Sequence, residues 1–61
     1  MKISSYLGQT IYKLGDEVFS ITTSINAENP EQAYIMLKHD ATWNHGMNPS
    51  LEVVSYGLIG H

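Results

Sequence analysis

The sequence predicts an α+β domain of two layers: three strands in an antiparallel meander, then one helix and a fourth strand (βββαβ), with the helix packed on one sheet face. Three observations carry this. Val18 to Ile25 alternates with a period of two, Asn29, Pro30 and Gln32 spell out a helix start, and Leu51 to Ile59 is rich in β-branched and aromatic residues. A run of strands, a helix and a last strand bury their apolar faces most simply as one sheet covered by one helix.

The first strand is expected over Ile3 to Leu7, where Ile3, Ser5 and Leu7 share one face and Ser4 and Tyr6 the other. Gly8 and Gln9 are expected to break it, with a second strand resuming over Thr10 to Leu14. Gly15-Asp16 then forms a two-residue hairpin loop, because glycine tolerates the positive φ that such turns require. In the third strand Phe19, Ile21, Thr23 and Ile25 point toward a core, and Val18, Ser20, Thr22 and Ser24 toward water. A slip of one residue in its pairing would expose Phe19, Ile21 and Ile25 together, at about 1.5 to 3 kcal/mol for each side chain. That cost specifies its register.

The helix begins at Asn29, whose side chain can accept from a first-turn amide, followed by Pro30 at a position where no N–H is needed. Gln32 is placed to reach back as in a capping box. Ala33, Leu37 and Ala41 form the central apolar stripe, widened by Tyr34 and Met36. Ile35 projects from the polar side, and Asp40 falls within the apolar arc. Asn44 or Gly46 is expected to end the helix before Pro49. The last strand has a phase fault: Leu51 and Val53 share one face while Val54, Tyr56 and Leu58 share the other, which suits a bulge, a twist at Gly57 or burial on both faces. The sheet face away from the helix is expected to carry Tyr6 or Tyr12 with part of the Val54, Tyr56 and Leu58 set.

A chain of 61 residues holds one domain, residues 1–61. Folding at this size buries only about 60% of the surface the unfolded chain exposes. With no cysteine, disulfides and thiolate metal sites are excluded, so good packing or self-association must stabilise it. No apolar run reaches the roughly 20 residues that span a bilayer, and Ser4, Ser5 and Gln9 make the N-terminal segment too polar for a signal-peptide core. A cytoplasmic location and no membrane partner are expected. Lys2, Lys13 and Lys38 are the only cations, arginine is absent and the net charge is -3, which argues against nucleic acid as a partner.

Catalysis has no constellation to rest on. A nucleophile needs an adjacent base and an orienting third group, and no glycine-rich phosphate loop precedes a helix. The chain is therefore expected not to be an enzyme, and to need no cofactor and no metal. His39, His45 and His61, with Asp40 and Trp43, offer the alternative of a small-ligand or metal site, although the spacing of six between His39 and His45 does not suit one helical face. The aromatic residues point instead to protein binding, since Tyr and Trp combine large rigid area with a polar tip. Phe19 and Tyr34 are assigned to the core. Tyr12, Ile35, Trp43 and Tyr56 are the expected partner-binding residues, in a small acidic module that acts sterically and forms a homodimer through a strand edge or the uncovered sheet face. In size and composition it is similar to accessory proteins of bacteriophages and mobile elements that inhibit or adapt a host protein. Asp40 and Thr42 in the helix argue for a natural rather than a designed sequence.

Overall fold

The computed structural model describes residues 2–60. Its elements in chain order are β1 (Ser4–Leu14), β2 (Glu17–Ala27), α1 (Pro30–Met47) and β3 (Leu51–Gly60). The architecture is α+β with one helix on an antiparallel sheet, as expected, but the strand count differs. The two short strands expected on either side of Gly8 and Gln9 are one continuous 11-residue strand. Gly8 does not interrupt the ladder because it lies directly under the helix, where a β-carbon would come within 2.9 Å of both Leu37 methyls. It is a packing glycine, not a turn glycine.

The hairpin closes at Gly15, whose φ of 63° stands in the left-handed region while no other described residue except glycine does. A glycine at the first central position with Asp16 second is the pattern of a II′ turn, whose twist matches that of the flanking strands. β1 and β2 then pair without a fault from Leu14↔Glu17 to Ser4↔Ala27. β3 pairs with the other side of β1, so the order is β2-β1-β3. Because both outer strands run antiparallel to β1, β2 and β3 are parallel to each other, and α1 is the crossover between them.

β3 resolves the phase fault by bulging. Val54 is the extra residue between the pairs Ile11↔Ser55 and Tyr12↔Val53, and Ile59 the extra one between Leu7↔Gly60 and Gly8↔Leu58. Each bulge sets two residues against one and so restores the face. Leu51, Val53, Tyr56 and Leu58 thereby line up opposite Leu14, Tyr12, Thr10 and Gly8, all on the helix side. Tyr6 and Tyr12 also point to the helix, which corrects the expectation that one of them lies on the uncovered face. The uncovered face carries Leu7, Ile11 and Val18 among serines and threonines.

The helix begins as its sequence dictates. Asn29 Oδ1 accepts from the Gln32 amide at 2.7 Å, and Gln32 Oε1 accepts from the Glu28 amide at 2.8 Å, one residue before the cap. At the other end α1 continues past Gly46 to Met47, and the Asn48 amide donates to the Asn44 carbonyl at 3.1 Å. Pro49 then follows within a tight turn in which the Leu51 amide donates to the Asn48 carbonyl at 2.9 Å, delivering the chain directly into β3. Among the described residues no helix is long and apolar enough to cross a membrane.

The core sits where the helix crosses the sheet. Tyr6, Ile25, Ala27, Ala33 and Leu37 form its central cluster, with Tyr56 and Leu58 packed against the side. Ala33, Leu37 and Ala41 are the buried helix residues, small on either side of one large one, so the helix can approach the sheet closely while the strands supply the bulky tyrosines. Thr10 is trapped beneath it: it is buried, and its Oγ1 has no hydrogen-bond partner among the described residues. An unsatisfied buried hydroxyl costs about 1 to 3 kcal/mol. Thr10→Val keeps the shape and removes the hydroxyl, and is expected to raise the thermal midpoint by about 4 to 8 °C for each kcal/mol recovered. A fall in that midpoint, read by circular dichroism, would mean that the hydroxyl is satisfied in solution.

Candidate functional site

The residues expected to bind a partner separate into three groups. Tyr12 is 0% exposed, and this corrects its assignment. Its ring lies beside Phe19, with centroids 5.8 Å apart, and its hydroxyl accepts from Asn44 Nδ2 at 2.9 Å, so it ties the helix end to the sheet. Tyr56 is half-buried at the core margin and faces Tyr34, ring centroids 5.3 Å apart. The Tyr56 hydroxyl holds the Tyr34 phenol above its ordinary range by a hydrogen bond, with desolvation and the Tyr56 charge adding to the shift and Lys38 opposing it. Ile35 and Trp43 are both exposed, Trp43 at 64%.

The two flanks of the helix differ. Tyr34 against Tyr56, and His45 Nδ1 at 2.6 Å from the Leu51 carbonyl, tie one flank to β3. The opposite flank, by helical spacing, carries Met36, Trp43 and Met47 with Asp40 between them, and it lies toward β2. All three are exposed, as are Phe19 and Ile21 on the helix side of β2. Only Ile25 and Ala27 of β2 are buried. Phe19 and Tyr34, both assigned to the core from sequence, are 38% and 44% exposed. The helix leans onto β3 and leaves the first half of β2 uncovered, so Phe19 and Ile21 of the sheet and Met36, Trp43 and Met47 of the helix are all exposed.

The stripe of Met36, Trp43 and Met47 could have been found from its spacing of seven and then four. The exposure of Phe19 and Ile21 could not, because an alternating strand does not tell how far along it a helix reaches.

The histidines do not converge. His39 and His45 project from different sides of α1, and His45 is already engaged by the Leu51 carbonyl. His61 lies outside the described residues. Among the described residues no three His, Asp or Glu side chains are grouped to hold a metal ion. A shallow recess of about 410 Å³ is lined by Thr42, His45, Glu52 and Val53, and another of about 510 Å³ by Lys38, His39, Thr42 and Trp43. Neither presents an activated nucleophile: the Thr42 hydroxyl donates to the Lys38 carbonyl at 2.9 Å, within its own helix. Compared with family models, curated proteins and solved structures, the chain matches none.

Proposed function

We propose that this chain is a small, acidic, non-enzymatic protein-binding module of the cytoplasm that self-associates and acts sterically, covering a site on a partner protein as small phage and mobile-element accessory proteins do. The observation that carries the reading is the exposed apolar flank of α1. Trp43 is the single tryptophan and Met47 is 69% exposed, and both sit on a rigid helix rather than on a loop. Tryptophan is enriched among the few residues that dominate binding energy, and methionine is enriched at interface cores. A side chain of this kind left in water on a domain with so thin a core adds nothing to folding, and contributes only when another surface covers it. Ile35, exposed on the outward side of the same helix, is a second apolar side chain that a partner could cover.

The test compares wild-type protein with an Ile35→Glu/Trp43→Ala variant as immobilised bait against a lysate of the source cell, with quantitative mass spectrometry. One protein is expected to be retained by the wild type and reduced roughly thirtyfold by the variant, the loss of about 2 kcal/mol typical of a hot spot. Identical retention by both baits would dispose of the helix flank as the working surface. The variant touches no buried residue, so circular dichroism should show the same fold.

A further inference from the structure

We infer that β2 is the edge through which two copies of this chain join, antiparallel and about a twofold axis, to make one continuous six-stranded sheet. This rests on the reading that the chain self-associates, and it names the place. The sheet order β2-β1-β3 leaves two edges, and they are built differently. Edge strands of monomers are protected by bulges, charges, proline or shortness, because a free ladder of N–H and C=O groups pairs with any strand that meets it. β3 has such protection: bulges at Val54 and Ile59, Glu52 near its start, and glycines at positions 57 and 60. β2 has less: its one charge, Glu17, stands at the hairpin end. It is 11 residues long, pairs with β1 in unbroken register, and from Val18 to Ala27 contains no charged residue and no proline.

A second copy fits this edge better than an unrelated strand does. An antiparallel pair about a twofold axis uses the same residues on both sides, so the edge is its own complement, and the uncharged run from Val18 to Ala27 brings no like charges together although the chain carries a net charge of -3. In the joined sheet the exposed Phe19 and Ile21 of both copies lie next to the seam on the helix side, where each copy's helix leaves them bare. The surface to be covered is available. The chain exposes 4298 Å², more than the roughly 3,950 Å² expected for a compact monomer of its mass. Its radius of gyration is 12.1 Å, against about 10.5 Å expected for 61 residues. A standard interface takes about 800 Å² from each partner, about a fifth of that surface.

Light scattering after size exclusion, across a dilution series, reads the mass of three proteins. Ser20→Lys/Thr22→Lys places two charges on the β2 edge, and Ser55→Lys/Gly57→Lys places the same two on the β3 edge; Ser20 and Ser55 are both partners of Ile11, on opposite sides of β1. Wild type and the β3 variant are expected to be dimers, and the β2 variant to need at least about tenfold higher concentration to dimerise. A wild-type dimer that the β2 variant leaves intact would overturn the edge while self-association stands. A wild type that is monomeric at every concentration would overturn both, and leaves the Trp43 capture experiment to decide partner binding alone. Hydrogen exchange on the wild type gives the same answer without substitution: the outward amides of β2 should be protected only at concentrations where the dimer forms, and protection that ignores concentration would refute the pairing.

Discussion

Leu37→Ala is expected to remove a large share of the chain's stability, several kcal/mol. Leu37 is completely buried and is the one large side chain of the helix stripe, standing between Ala33 and Ala41 and reaching down to Gly8 of β1. Truncating such a leucine typically costs about 2 to 5 kcal/mol, through lost transfer energy and the cavity left behind. A chain of this length has a total stability on the order of 3 to 9 kcal/mol. The cavity cannot collapse readily, because the flanking alanines have no side chain with which to fill it, and the backbone of β1 is held in the ladder on both edges. The upper part of the range is therefore expected. The check is a denaturant titration followed by circular dichroism, with the midpoint falling well below that of wild type and the slope unchanged. A loss under 1 kcal/mol, on the other hand, would show that the helix is not held by this contact.

Much of this arrangement was legible in the residues. The helix start at Asn29 and Gln32 and the Ala33, Leu37 and Ala41 stripe are local chemistry, in which side chains satisfy amides a few positions away. The turn at Gly15 is of the same kind. The fault in β3 was visible as a contradiction between two faces, and the bulge at Val54 is its solution. What could not be read is set by distance along the sheet. Tyr12 and Tyr56 look alike in the sequence, yet Tyr12 lies below the helix end with Asn44 on its hydroxyl, while Tyr56 stands at the margin beside Tyr34. Phe19 has the pattern of a core residue and occupies a core-facing register position. It is partly bare because an 18-residue helix that leans onto β3 does not cover β2 along its length. For the candidate surface, Ile35 was found from helical spacing and Trp43 from its residue type, whereas the exposure of Phe19 and Ile21 depends on that tilt.

Gly8→Val sets two principles against each other, and packing is expected to prevail. Valine is among the best strand formers and glycine among the worst, a difference approaching 1 kcal/mol in favour of the substitution if position 8 were an ordinary strand residue. Position 8 is not ordinary. A β-carbon there would stand 2.9 Å from both Leu37 methyls and 3.0 Å from Ile25 Cδ1, all within the central core cluster. Leu37 has nowhere to swing, since it is fully buried between the sheet and its own helix. Overpacking of this kind costs about 1 to 3 kcal/mol, so the net result should be destabilising, measured as a lower denaturation midpoint with the dimer edge untouched. The decisive form of the experiment is the double-mutant cycle with Leu37→Ala. Valine at position 8 projects into the space that the lost leucine methyls vacate, so the pair should be more stable than the sum of the two single losses by roughly 1 to 3 kcal/mol. Additive losses would mean that the two side chains do not share that space, and the close approach of helix to sheet at Gly8 would have to be abandoned.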